Sequence, residues 1–384
     1  MEKSEVTKGI HFQRGIYAVL RVLFGGLLCL ITQHSAEKYK PKSDVFLLLA
    51  NHSVDYDPMY AVIDTKSHMK FVAAANLTRG FGGWFIKNLA GPIPREKGAS
   101  ADSVVEAIKE NLDAGISVAM YPEGITTWDG ETAFISKRTA RLVKDSKGGM
   151  VTFKTVGGYL RMPRWSVVKR RGKTYSHVVR EYSREELDKM TVDEIYEAIC
   201  KDLYVNAYDE QEKRHWKYDC KARAEGLEGA LYVCPVCGKI GRLRSEGHKF
   251  FCECKSEWFY DDEGYLISDK DEYKDLIKSE KKISILDWSR WQKKYLHENA
   301  ERLAAQIDTP ICSTEQFKVF GDRIETEDGT YYFKDITAMS IFRATRLFFT
   351  CSGKHHEYFI DPKDGRVGQM YFALWRICTG KEYV

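Results

Sequence analysis

Between residues 44 and 205, short aliphatic runs alternate with stretches of helical periodicity, and this alternation limits the fold more than any other feature. The runs are "DVFLLLANH", "KFVAAANL", "GISVAMYPEG", "MVTFKTVGGY" and "TYSHVVREY". Their shortness and apolar character make them strand candidates. Between them, "SADSVVEAIKENLDAG" repeats Val104, Val105, Ile108 and Leu112 at helical spacing, and Gly115 supplies a stop. Strands alternating with helices predict an α/β architecture: a mostly parallel sheet flanked by helices over residues 41–225.

The first run ends in Asn51-His52, so His52 falls at the carboxyl end of a buried strand. In open α/β sheets that edge is where ligands bind. Asp57-Pro58 then opens the helical pattern "PMYAVIDTK", with aspartate suited to the N-cap and proline to the first turn. If the loop folds back, the Asp57 carboxylate reaches the imidazole, fixes its tautomer and leaves the other nitrogen free to take a proton. Such a pair is a general base with no nucleophile of its own, so the nucleophile is a substrate hydroxyl. The competing reading is that Asp57 only caps and His52 only ends a strand.

Two further runs reach the same edge. "LAGPIPREKG" offers Arg95, whose guanidinium suits bidentate phosphate binding, and "VAMYPEGITTWDG" ends in Pro122-Glu123-Gly124. Glu123 can accept from acceptor hydroxyls or orient the catalytic loop, and Gly124 permits close backbone approach. In this order and spacing, "NHSVDYD", "GPIPR" and "YPEG" resemble the blocks of the glycerolipid acyltransferase family, with its His-x4-Asp motif, over about residues 15 to 210. "MVTFKTVGGYLRMPRW" stands where that family has a weaker fourth block.

The resemblance implies acyl transfer from a thioester, acyl-CoA or acyl carrier protein, to the free hydroxyl of a lysophospholipid in phospholipid synthesis or remodelling. His52 and Asp57 are then catalytic, Asn51, Arg95, Glu123, Gly124 and Thr126 line the substrate, and no catalytic cofactor is needed. Amides in the loop after His52 are candidate oxyanion donors. The family often has arginine where this chain has Thr126, so Arg95 is the remaining block arginine for a phosphate. That leaves lysophosphatidic acid or a headgroup-bearing lysophospholipid as acceptor. A non-catalytic lipid-binding scaffold on the same fold is the alternative.

Cys234-Pro-Val-Cys237-Gly is the knuckle of a zinc ribbon, placed at residues 226–268. Cys252 and Cys254 complete a four-thiolate structural site, with His248 or Cys220 as substitutes for one of them; a redox dithiol is the rival. Cys29, Cys200, Cys312, Cys351 and Cys378 read as apolar fillers. Residues 269–308 read as a helical connector carrying Leu276, Ile277, Ile283, Ile285 and Leu286. From 309 to 384, short alternating segments broken by Gly-Asp, Asp-Gly and Ser-Gly turns predict a small antiparallel β-barrel-like domain with a C-terminal helix, PH- or GRAM-like in outline. His355 and His356 are expected at its surface.

The N-terminal region (1–40) contains "GIYAVLRVLFGGLLCLIT", apolar except for Arg21, which suits a membrane-associating helix at the cytoplasmic face with Arg21 reaching headgroups. A core-packed first helix is the other reading. Basic stretches "SKRTAR" and "RMPRWSVVKRRGK" offer contacts to headgroups or donor phosphates, or a solvated face. A net charge of only +4 over 384 residues, together with the apolar N-terminus, argues against a nucleic-acid partner.

Overall fold

Continuous apolar character puts β2 (Phe46–Ala50) in the middle of a sheet, with all five residues buried. The structure, a computed structural model, describes residue 7 and residues 9–75, 91–95, 102–268, 282–342, 345–361 and 367–383. The chain forms two compact units. The first comprises residues 1–127, 131–159 and 172–213; the second comprises 128–130, 160–171 and 214–384.

In the first unit, α1 (Ile10–Thr32) leads into an edge strand β1 (His34–Ala36). After β2 come α2 (Asp57–Thr65), β3 (Lys70–Ala74), β4 (Ile93–Arg95), α3 (Asp102–Asp113) and β5 (Val118–Met120). They are followed by α4 (Arg138–Asp145), β6 (Gly149–Val156), β7 (Thr174–Tyr182), α5 (Arg184–Lys189), α6 (Val192–Leu203) and α7 (Ala207–Arg214). The strand order is β1-β7-β6-β2-β5-β3-β4. Neighbours from β6 to β4 run parallel; β7 is antiparallel to β6 and parallel to β1. The mixed α/β fold with a mostly parallel sheet is therefore as expected. Ser183 with Glu186 and Thr191 with Glu194 form capping boxes that start α5 and α6. Ile108 and Leu112 of α3 are buried, and Gly115 ends that helix at φ 80°.

Beneath β1, His34 is buried in a polar network. Its Nε2 lies 3.0 Å from Asp64 Oδ2, its Nδ1 lies 2.9 Å from Thr174 Oγ1, and Ser176 Oγ bonds the same carboxylate. Tyr60 stacks on the imidazole at 3.7 Å. These partners are far apart in sequence, and each supplies what a buried polar group requires.

The second unit contains a five-stranded antiparallel sheet of β8 (Leu243–Glu246), β9 (Lys249–Cys252), β10 (Glu257–Tyr260), β11 (Tyr265–Ile267) and β12 (Lys282–Ser284). Ile283, expected on a helix, lies on β12; Ser284 instead caps α8 (Ile285–Glu298), its hydroxyl accepting from Asp287 N at 2.9 Å. Leu276 and Ile277 lie outside the described residues. A short helix α9 (Ala300–Ala304) follows. Antiparallel sheets β13–β16 (Cys312–Ser313, Lys318–Val319, Arg323–Thr326, Gly329–Tyr332) and β17–β19 (Ile336–Phe342, Arg346–Cys351, Lys354–Phe359) then precede the C-terminal helix α10 (Gly368–Cys378). They share a core with Tyr232, Val233 and Leu296, so the cysteine module and the tail are packed together. His355 is exposed, whereas His356 is half-buried and stacks between Tyr331 and Phe349.

In "SKRTAR", Lys137, Arg138 and Arg141 are exposed, with Lys137 paired to Asp193, and in "RMPRWSVVKRRGK" Lys169, Arg171 and Lys173 are exposed whereas Arg161 and Arg170 are buried. Arg170 is fully buried, donating to the carbonyls of Leu160 and Arg223 and stacking over Trp165 and Tyr260.

Candidate active site

Strand β2 delivers Asn51 and His52 to the carboxyl edge of the sheet, where the chain leaves its ladder. Asn51 is held there by two bonds to the neighbouring strand: its amide nitrogen donates to Thr155 O at 2.9 Å, and its oxygen accepts from Thr155 N at 2.8 Å. Both polar ends are engaged, which makes Asn51 a strut fixing where His52 begins rather than an open ligand group.

Asp57 does not cap α2. Its carboxylate turns back into the preceding loop because three donors converge there. Oδ2 accepts from Ser53 N at 2.7 Å and Val54 N at 2.9 Å, and lies 3.1 Å from His52 Nδ1. Asp57 is completely buried, and such a charge needs this degree of compensation. A carboxylate only accepts, so Nδ1 carries the hydrogen and Nε2 presents its lone pair. No described residue bonds Nε2, and the imidazole is 21% exposed. Tyr121 stacks on the opposite face at 4.5 Å. The Ser53 and Val54 amides are thereby removed from the set of oxyanion donors proposed for this loop.

Glu123 follows β5, the parallel neighbour of β2. Its Oε1 accepts from His52 N at 2.6 Å and its Oε2 from Ala133 N at 2.7 Å, so it clamps the His52 loop to the chain beyond "WDG". Thr127 N adds a bond to His52 O at 3.2 Å. Burial pushes the Glu123 carboxyl up to about 7; the two amide bonds and His52 oppose that shift. Gly124 adopts φ 71°, and a Cβ there would stand 3.2 Å from Arg95 Nη1, so glycine lets the guanidinium lie over this turn. Arg95, exposed at the end of β4, thus shares the edge with His52 and Glu123. Thr126 is half-buried two residues on, in the same loop. The flanking "LA" and "EKG" of the Arg95 block lie outside the described residues. The sequence had left Glu123 between two roles, substrate contact and loop orientation; both its oxygens serve the second.

A histidine whose Nδ1 faces a buried carboxylate, on the carboxyl edge of an α/β sheet that also carries an arginine, has the geometry a general base requires. Residues 31–155 match the family model described as Acyltransferase. Among solved structures, the chain is similar to the crystal structure of the 1-acyl-sn-glycerophosphate (LPA) acyltransferase PlsC from Thermotoga maritima, at 14% identity and a TM-score of 0.40, covering 53% of this chain and 95% of that one. No curated protein matches the chain.

In the second unit, four sulfurs converge. Cys234, Cys237, Cys252 and Cys254 have Sγ atoms within 4.8 Å of one another, with the Cys234–Cys254 and Cys237–Cys252 pairs at 3.8 Å. A tetrahedral zinc with Zn–S near 2.3 Å requires sulfur–sulfur edges of about 3.8 Å. Gly238 at φ 66° closes the first knuckle, its amide donating to Cys234 O. His248 Nδ1 accepts from Arg223 N, and neither it nor Cys220 joins the sulfur group.

The Glu123 shift has a defined pH signature. The folded chain holds this proton more tightly than the unfolded chain, whose carboxyl titrates near 4.5. Glu123 therefore opposes folding increasingly as pH rises from about 4.5 to about 7, and no further above that. Denaturation of wild type and Glu123→Gln at several pH values should show wild-type stability falling relative to the variant across this window. A difference independent of pH would contradict the assignment.

Proposed function

We propose that the protein is a membrane-associated O-acyltransferase moving a fatty acyl group from a thioester, acyl-CoA or acyl carrier protein, to the hydroxyl of a lysophospholipid. The observation carrying this reading is the His52–Asp57 pair, with Nε2 open, inside the segment matched to the acyltransferase family. Nε2 removes the hydroxyl proton as the oxygen attacks the thioester carbonyl. The C–S bond then breaks, and the imidazolium returns the proton to the departing thiolate. Asp57 stabilises the transient cation, and Arg95 holds a phosphate of the acceptor. Base catalysis of this kind contributes on the order of 10²–10⁴-fold. With labelled acyl thioester and a panel of lysophospholipids, His52→Ala should lower kcat by at least ~10²-fold, and Asp57→Asn comparably through loss of the tautomer. Absence of turnover in wild type with every acceptor would favour a lipid-binding scaffold instead.

Helix α1 supports the membrane component. Its protein-facing stripe carries Ile10, Gln13, Tyr17, Arg21, Gly25 and Thr32, whereas Phe12, Val19, Leu20, Val22, Leu23, Phe24, Leu27, Leu30 and Ile31 are exposed. This reverses the amphipathicity of a helix packed on a protein in water, where the apolar face turns inward. Arg21 donates to Lys66 O at the end of α2 rather than reaching outward. An apolar outer face of this kind fits a bilayer. Flotation with neutral phosphatidylcholine vesicles tests it: Leu23, Phe24 and Leu27 changed together to Ser should weaken partitioning at least ~100-fold, given about 1.5–3 kcal/mol for each side chain buried. Unchanged flotation would remove the helix from the membrane.

The four-cysteine group fits a structural Zn2+ ion, holding the two knuckles together without taking part in the reaction. Purified protein should contain about one zinc per chain, and Cys237→Ser should lose it and melt at lower temperature. Full occupancy of wild type by iron, or no metal at all, would overturn this assignment.

A further inference from the structure

A cavity of about 190 Å³ opens in the first unit, where the end of β6 meets the link between α6 and α7. Lys154 of β6 lines it, together with Tyr204 and Asn206 of the link and Asp209, Glu210 and Lys213 of α7. Most of these polar side chains bond a neighbour. Tyr204 donates to Glu131 Oε1 at 2.9 Å, Asn206 to Asp209 Oδ1 at 2.8 Å, and Lys213 to Glu210 Oε1 at 3.2 Å. Lys154 is the exception: among the described residues its ammonium has no hydrogen bond or ion pair. Two carboxylates act on it through space, but both are committed elsewhere. Asp202 accepts from the hydroxyls of Thr152 at 2.8 Å and Tyr182 at 2.9 Å, and Glu210 accepts from Lys213. Burial lowers the proton affinity of this half-buried lysine; the charges of Asp202 and Glu210 oppose that shift, and Lys213 adds to it. Lys154 therefore holds more of the neutral, nucleophilic amine than a fully solvated lysine does, and it has open space beside it.

We propose that Lys154 is a site of covalent modification by short acyl thioesters, independent of acyl transfer at His52. The unprotonated Nζ attacks the thioester carbonyl carbon. A C–N bond forms as the C–S bond breaks, and the proton released from nitrogen passes to the departing thiolate. The products are an acylated lysine and a free thiol. The amide removes a charge that burial disfavours and that no partner offsets. The cavity has the volume of several water molecules at about 30 Å³ each, which accommodates a short acyl group beside the side chain. The donor is of the thioester class in the proposed function, but the step needs neither His52 nor an acceptor lipid.

The whole chain is incubated at mildly alkaline pH with S-acetyl-N-acetylcysteamine, a small neutral thioester, and acetylation of each lysine is followed in time by peptide mass spectrometry. Lys154 should be acetylated several-fold faster than Lys213, which lines the same cavity but is exposed and held by Glu210. His52→Ala should leave that ratio unchanged. Acetylation of Lys154 no faster than that of Lys213 would overturn the proposal. So would acetylation of Lys154 that disappears in His52→Ala, because the acyl group would then arrive by way of the acyl-transfer site. No lysophospholipid is present in the assay, so its outcome is read separately from that of the acyl-transfer reading.

Discussion

The buried carboxylate of Asp57 is the constraint on which the loop after β2 depends. A charge fully removed from water must be met by donors, and this one is met by two loop amides and one imidazole nitrogen. The same three bonds shape the loop, choose the histidine tautomer and turn Nε2 toward solvent. Loop geometry and base chemistry are thus a single arrangement. Glu123 and Asn51 hold it from either side, one through the backbone of His52 and the other through the backbone of Thr155 on β6.

That arrangement explains why so short a motif can carry a function. A histidine and an aspartate five residues apart cannot share a helix face, but a loop leaving a parallel strand can fold one onto the other. Parallel strands on both sides of β2 fix where the loop begins. They also bring the Glu123 loop and the end of β6 to the same edge. The opposite edge is different in character: there α1 turns polar groups inward and leaves aliphatic and aromatic side chains outside. The sheet thus carries the His52–Asp57 pair at one edge and the exposed apolar face of α1 at another place.

Much of this was legible in the sequence because it depended on local pattern. The uninterrupted "FLLLA" run could only be a strand covered on both faces, and Cys-Pro-Val-Cys-Gly had one compact way to turn. Cys252 and Cys254, although only two residues apart, do join the same sulfur group, because Lys255 takes a left-handed conformation and folds the chain around them. What escaped the sequence were roles decided by distant partners. Asn51 looked like a ligand group until Thr155, 104 residues away, engaged both ends of its amide. The His34–Asp64–Ser176 network spans more than a hundred residues and has no local signature. Ile283 fitted a helical period, yet pairing with Leu266 drew it into a sheet. The reversed polarity of α1 was hidden because its few polar residues are spread thinly through an apolar run.

Everything catalytic in this account follows from which nitrogen of His52 bears the hydrogen, and that can be observed without substrate. Selective 15N labelling of histidine, with His52 assigned by substitution, reports the tautomer in the resting protein at neutral pH. The account predicts a ring protonated at Nδ1 with an unprotonated Nε2, and conversion to a mixture of tautomers in Asp57→Ala. A His52 protonated at Nε2 in the wild type would leave no base facing the hydroxyl and would contradict the central claim.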